Sequence, residues 1–580
     1  MKKLLLSFLL VSMEMLAFST VILIPQDYMS LNEAFAAASE GDTILVSPGT
    51  YQENFRIEQP KKLKIGSLYM TTGDTSYISR TIISGFSHGA ALQIFPEVTS
   101  ETEFMGFTLT QGTGVEGAGG AIHMENASAL LHHLYIRNNS ASQGGAISCT
   151  GEGSKLILYN SRIFNNTATN RGAAIHLFNA GLDINTCEIS NNQVAGGLGG
   201  AISCYVGTGL SEMLQVYIES AFIINNESTD AGVTAGAYFE APDDVPSMSI
   251  NIQNSRFEGN TSTSSSALRI RGKIDFNIQN SLFLSNEASQ FTGGVTFSNA
   301  SNGNVVNSLF VSNKGATGGG SYNSGAVTVW SGSDVNFYNC SFIDNSASYG
   351  TAMTIGGAGA SLTNCIFWGN GTDQISLLDI NQTGGSLSVL HCDIEGGQAS
   401  ISAAAMSQLQ WNEGNITADP LFQGSGDHPY SLTASSPCID AGIPQTGDLP
   451  LPDADYAGRT RIWDGDGNGS SLIDIGPYEF GSPPVGIGSF DLNHESALRT
   501  SVYPNPSSSR VTVEFYLYHP QDVILAIYDN QGKLVHRMSG RQPAGIQRYN
   551  WNVNRRSRGI YHYIIQAGPM RTAGKIAIVH

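Results

Sequence analysis

Three groups of residues in this chain have the types and the spacing to do chemistry. Asp464, Asp466 and Asn468 alternate with glycines, and oxygen side chains at positions 1, 3 and 5 of such a run converge on one calcium ion. Position twelve of the loop is Ile475, and the carboxylate that would close it comes one residue early, at Asp474. The competing reading is an Asp-Gly turn with no ion. A second group sets the acidic stretches around Glu212, Glu240, Asp243 and Asp244 beside Arg269, Arg271 and His176. Carboxylates, guanidiniums and an imidazole in one place could grip a glycan, or take a proton from a sugar carbon next to a carboxylate. Here the competing reading is a solvated face with loop insertions. The third group is the cysteines. Exported chains invite disulfides, but Cys187, Cys340, Cys365 and Cys392 each stand two residues before an inward Phe or Ile, where other copies of the unit have Ser161, Ser255, Ser281 and Ser308. That is a column of small buried residues and predicts inert thiols.

A repeat must position these groups. Asn-Ser-Arg-Phe-Glu-Gly-Asn (254–260), Asn-Ser-Leu-Phe-Leu-Ser-Asn (280–286), Asn-Ser-Leu-Phe-Val-Ser-Asn (307–313), Asn-Cys-Ser-Phe-Ile-Asp-Asn (339–345) and Asn-Cys-Ile-Phe-Trp-Gly-Asn (364–370) are one unit. Its last Asn recurs at Asn139, Asn166, Asn192, Asn226, Asn260, Asn286, Asn313, Asn345 and Asn370, mostly 25 to 27 residues apart. A second element, a glycine turn feeding a strand, recurs at Gly119-Gly120-Ala121-Ile122, Gly144-Gly145-Ala146-Ile147, Gly172-Ala173-Ala174-Ile175 and Gly199-Gly200-Ala201-Ile202. Side-chain parity gives the geometry, since a strand alternates its faces. Ile274, Phe276 and Ile278 are even and inward, yet after Asn280 the inward set is odd, at Ser281 and Phe283. The same jump follows Asn254, Asn307, Asn339 and Asn364, so the chain bends there, in the left-handed conformation that Asn tolerates. One bend repeated at one position predicts stacked parallel coils, with the bend asparagines aligned in an amide ladder.

These repeats resemble the pectate-lyase-like superfamily of right-handed parallel β-helices, and the Gly-Gly-Ala-Ile and Phe-x-x-Asn pairs are similar to the repeats of polymorphic outer membrane proteins, which are surface adhesins. Enzymes of the superfamily act on acidic polysaccharides, and those similar to polygalacturonases carry Asn-Thr-Asp, Asp-Asp and Gly-His-Gly. Of these only Asp243-Asp244 is present, and the Arg-x-Pro-x-x-Arg pattern of the lyases is missing. Coil spacing stretches to 34 residues from Asn192 to Asn226 and again to Asn260, which predicts two loops, near 205–214 and 241–248, projecting side by side. Parity turns Arg269, Arg271, His123 and His176 outward beside them.

At the start of the helix, Ser30-Leu31-Asn32-Glu33 is a capping box, and Leu31, Ala34, Phe35 and Ala38 form an apolar face suited to plug the open end. At the other end, Asp419-Pro420-Leu421-Phe422, Ser436 to Gly442 and Asp474 to Glu479 resemble the C-terminal flank of bacterial surface β-helices, expected to cover the last coil. Beyond Ser482-Pro483-Pro484, strands at 511–515, 523–528, 549–553 and 559–566 predict a small antiparallel sandwich. Tyr503 to Pro506, the turn at Tyr528 to Gly532, Gly545, Trp551, Gly559-Ile560-Tyr561 and Lys575 resemble a type A sorting domain of the type IX secretion system. That resemblance implies passage through the outer membrane after export to the periplasm.

Composition fits such a chain. Only 13% of the residues are charged, 66 are glycine, and the net charge of -19 leaves no clustered cations for a nucleic acid. Lys2, Lys3, the apolar run from Leu4 to Val11 and Ala17-Phe18-Ser19 read as a signal peptide, and no later stretch is apolar enough for a membrane span. The sequence therefore predicts an all-β chain: signal peptide 1–19, right-handed parallel β-helix 20–395 with a capping helix, flank 396–482, linker 483–499 and an immunoglobulin-like sorting sandwich 500–580. It reads as a secreted or cell-surface protein of a Gram-negative bacterium, adhesin-like or glycan-binding, with a polysaccharide or surface protein and the type IX machinery as partners. The alternative is a polysaccharide lyase or glycoside hydrolase acting on acidic polysaccharide. Calcium is the only cofactor suggested.

Overall fold

The computed structural model describes residues 19–579 apart from 87, 230–233, 244–246, 319–322, 448, 486–499, 504–506, 508, 518–520, 543–544, 555 and 568–569. Residues 1–18 of the expected signal peptide 1–19, most of the expected linker and part of Tyr503 to Pro506 lie outside the described residues.

One coil shows how the sequence builds the solenoid. Ile274–Gln279 runs in a 15-stranded parallel sheet (sheet I), Asn280 bends with φ of 49°, and Leu282–Leu284 joins a 13-stranded sheet (sheet II). Asn286 then turns the chain into Glu287–Ala288 of a 6-stranded sheet (sheet IV), and Val295–Ser298 completes the coil in a second 13-stranded sheet (sheet III). All pairings between successive coils in these sheets are parallel, and the bend asparagines 254, 307, 339 and 364 have φ between 49° and 55°. Only a sharp bend with both flanks inward satisfies the parity jump.

Two asparagine ladders result. Along the bends, Asn280 Nδ2 donates to Asn254 Oδ1 at 3.3 Å and Asn364 Nδ2 to Asn339 Oδ1 at 3.2 Å. The second ladder is buried and runs unbroken from Asn139 to Asn370, each Nδ2 donating to the next Oδ1 at 2.9 to 3.1 Å. The same oxygen also accepts the previous asparagine's backbone N–H, so a buried polar side chain is satisfied on every rung. Beside it Phe257, Phe283, Phe310, Phe342 and Phe367 stack with centroids 4.3 to 5.0 Å apart. All seven cysteines are buried and free.

At the N-terminal end a short helix packs on the first strands. Helix Leu31–Ala37 buries Leu31, Ala34 and Phe35, and Ser30 Oγ accepts from Glu33 N at 3.2 Å. At the other end the expectation needs two corrections. Strands Ile401–Ala403 and Gln408–Trp411 continue sheets III and I, so the solenoid runs a coil past residue 395. The flank does not simply close the last coil. It lies along the outside of sheet II, where Leu432, Ile475 and Tyr478 pack against Leu309, Val311, Ile343 and Ile366. Asn339 Nδ2 donates to the Asp474 and Gly476 carbonyls, and Asn364 Oδ1 accepts from Ile443 N. The outward positions of sheet II suit this seat: Leu282, Leu309, Ser341 and Ile366 carry no charge, whereas the earlier coils place Arg162, Glu188 and Arg256 there beside Tyr135 and Phe222. The C-terminal domain is antiparallel, with a 3-stranded sheet and a 4-stranded sheet around Val511, Val513, Val523, Leu525, Trp551 and Ile565.

Candidate functional site

Sheet III places His176, Ser203, Tyr238 and Arg269 on successive rungs of one outward column, with Phe178, Tyr205, Glu240 and Arg271 in the next. His176 and Arg269 are three rungs apart, roughly 14 Å at ~4.8 Å per rung. Two neighbouring aromatic rings are flanked by guanidiniums across this face. Arg171, at the end of a sheet IV strand, lies 4.0 Å over the Tyr205 ring; Tyr205 meets Tyr238 edge-on at 5.9 Å; Arg269 lies 5.8 Å over Tyr238. Tyr238 Oη donates to Glu240 Oε2 at 2.8 Å, and Arg271 is ion-paired with the same carboxylate. Burial, with Glu240 adding to it, pushes the Tyr238 phenol up to about 12, so it is a donor at any physiological pH.

His176 sits deeper than its outward parity implies. The glycine turns fold back over the first column: Gly172 has φ of +59°, and a Cβ on Gly199 would meet the Ser203 side chain at 2.7 Å. His176 is therefore buried, and burial followed by the Arg171 charge holds its imidazole down to about 4. Among the described residues, His123 Nδ1, Ser148 Oγ, His176 Nδ1, Ser203 Oγ and Arg269 Nε in this column, and Arg171 Nε beside it, are buried with no hydrogen-bond partner. Farther along, the same column is satisfied: Thr296 pairs with Ser265 at 2.8 Å, Thr328 with Thr292 at 2.7 Å, and Thr354 donates to the Asn323 carbonyl at 3.0 Å. The unsatisfied stretch coincides with the Arg–Tyr face.

The long loops do not stand side by side. The 205–214 loop leans two coils back, with Ser211 N donating to Glu152 Oε1 at 2.7 Å; Asp243 leans two coils forward, its Oδ2 accepting from Asn299 Nδ2 at 3.0 Å. They bracket the Arg–Tyr face from opposite sides. Glu212 is exposed on the first loop, and Asp244 lies outside the described residues. Arg269 and Arg271 stand together on one strand, His176 lies three rungs away, the Asp243 charge reaches Arg271, and Arg171, Tyr205 and Tyr238 are additions. Parity could have found both tyrosines, because Cys204 and Phe239 beside them point inward; Arg171 precedes a turn and has no such signal.

The acidic turn also differs from expectation. Oxygens of Asp440, Asp464 and Asp466 lie within 4.8 Å of one another, so the group able to share a divalent cation draws Asp440 from an earlier segment. Asn468 instead donates through Nδ2 to Asp466 Oδ2 at 2.8 Å. Asp474 is buried and accepts from Asp440 N at 2.7 Å and Phe480 N at 2.6 Å, which removes it from the ligand set. Burial pushes its carboxyl up to about 7.

Residues 501–579 match the family model of the secretion system C-terminal sorting domain. No curated protein matches the sequence. Among solved structures, the catalytic unit of a thermostable GH87 α-1,3-glucanase from Streptomyces thermodiastaticus aligns with a TM-score of 0.33 and 11% identity over 66% of each chain. The enzymatically active domain of bacteriophage CBA120 tailspike protein 4 aligns with a TM-score of 0.25 and 11% identity over 94% of this chain and 64% of that one. This chain thus spans about 66% and 64% of the lengths of those structures. No helix among the described residues is long and apolar enough to cross a membrane. The chain is a parallel β-helix carried by a C-terminal sorting domain of the type IX secretion system, which directs it to the cell surface or the extracellular space.

Proposed function

We propose that the protein is an adhesin-like, glycan-binding β-helix, and that a sugar chain lies across sheet III between Phe178 and Arg271. The observation that carries this reading is the row Arg171–Tyr205–Tyr238–Arg269, two neighbouring rings flanked by two guanidiniums. Flat rings and guanidinium planes suit the apolar and hydroxylated faces of a pyranose. Calorimetric titration of the full chain with a panel of acidic and neutral oligosaccharides tests it. Tyr205→Ala and Arg269→Ala are each expected to weaken binding roughly tenfold, the ~1–2 kcal/mol of one desolvated cation–ring contact. Unchanged affinity in both variants sinks the reading.

A second reading, a lyase or hydrolase of acidic polysaccharide, is favoured by the imidazole of His176, held neutral by burial beside the Arg171 guanidinium. Formation of unsaturated sugars or new reducing ends, lost in His176→Ala, would select it.

A further inference from the structure

The outer face of sheet I carries a second, chemically different surface. From the coil of Met248–Gln253 onward, its central outward column reads Asn251, Asn277, Asn304, Asn336, Ser361, Ser388 and Gln410, paired in register on successive rungs. All are at least partly exposed, and no Lys, Arg, Asp or Glu interrupts the column. The neighbouring outward column is Ser249, Asp275, Asn302, Asp334, Gly359, Ser386 and Gln408. Neighbours along the central column hold one another in place: Asn277 Nδ2 donates to Asn251 Oδ1 at 3.4 Å, Asn336 Nδ2 to Asn304 Oδ1 at 3.2 Å and Ser361 Oγ to Asn336 Oδ1 at 2.6 Å. Each amide carries two N–H donors and an oxygen with two lone pairs, so the contacts within the column leave capacity facing outward on every rung.

We propose that this face docks a neutral polysaccharide laid along the helix axis. Three features exclude other occupants. A nucleic acid or anionic glycan needs cations, and these two columns offer only Asp275 and Asp334 as charges, in a chain of net charge -19. A protein partner needs desolvated aromatic or arginine anchors, and of the three outward columns only the one beside the bends, Gln253, Gln279, Val306, Tyr338, Thr363 and Leu390, holds an aromatic side chain, Tyr338. A second copy of the same face meets the area limit: six intervals of ~4.8 Å and a width of roughly 14 Å give about 400 Å², half of the ~800 Å² per partner typical of a stable pair. An uncharged polymer with hydroxyls on every sugar needs neither charge nor anchor. It can repeat one weak amide–hydroxyl contact rung after rung, so that affinity comes from many linked contacts. This face shares none of the residues of the Arg–Tyr face.

The test is depletion of the full-length protein from solution by suspended microcrystalline cellulose and by insoluble β-1,3-glucan. At least one of the two is expected to retain the wild type, with retention unaffected by salt. Asn277→Lys with Asn336→Lys covers the column with long charged chains and is expected to cut retention roughly tenfold while leaving the melting temperature unchanged. Asn304→Gln, which keeps the amide, retains binding. Tyr205→Ala with Arg269→Ala, aimed at sheet III, leaves retention intact, which separates failure here from failure of that site. The proposal is overturned if neither polymer retains the wild type, if salt abolishes retention, or if the double lysine variant binds as the wild type does.

Discussion

Tyr238 does three jobs with one side chain: its ring meets Tyr205 and Arg269, and its hydroxyl donates to Glu240. Tyr238→Phe keeps the ring and deletes the donor, so it should weaken glycan binding less than Tyr205→Ala does, a ranking that titration of the two variants checks. Glu479 supplies a pH test at the same scale. It is buried in the flank, and burial, opposed by Arg461, pushes its carboxyl up to about 9. Between the ordinary glutamate range and about 9 the folded flank keeps a proton that the unfolded chain gives up, so stability falls as pH rises through that window. Glu479→Gln is expected to flatten that part of the melting-temperature profile, and an unchanged slope would assign it to another group. Residues read by parity were legible from sequence, because parity is local: Arg269 and Arg271 do face outward. The depth of His176 was not, since it depends on a glycine turn folding back over its own strand.

The buried asparagine ladder and the outward amide column look alike in sequence but differ in energetics. Asn313→Ala would leave Asn286 Nδ2 facing a methyl group in a dry interior, and a loss of about 2 kcal/mol or more is expected in denaturant unfolding. Asn277→Ala, on the solvated face, should stay within about 0.5 kcal/mol of wild type. The sequence reading assigned the amide ladder to the bends; the continuous buried ladder is at the other end of the unit, where Asn286 and Asn313 meet across a rung. Elements that depend on distant contacts were the least legible. The lean of the long loops rests on Ser211–Glu152 and Asp243–Asn299, each spanning two coils, and no local pattern encodes it. The carboxylate group draws Asp440 toward Asp464 through the fold of the flank. If that group takes calcium, titration of the full chain should raise its melting temperature and Asp464→Asn should remove the rise; the absence of heat and of any shift would leave an ordinary acidic turn.

The whole molecule joins a long repetitive passenger to a separate export device. Removing residues 501–579 is expected to strand the chain in the periplasm, which fractionation and immunoblotting would detect. The flank's seat had a trace in the sequence, the loss of charged outward residues in sheet II after Arg256, from Leu282 to Ile366, but reading it required knowing which side of that sheet faced solvent. That seat also decides how the solenoid meets force. Hydrogen bonds between coils run along the axis, so under an axial pull the coils bear load in series and the weakest junction yields first. The flank spans several junctions at once, gripping Leu309, Ile343, Ile366, Asn339 and Asn364, and so acts as a tie in parallel with the coils it crosses. The buried ladder reinforces the stretch from Asn139 to Asn370, while among the described residues the coils before Asn139 show neither reinforcement. Under tension the rod should therefore part near its N-terminal end, leaving the Arg–Tyr face and the amide face still joined.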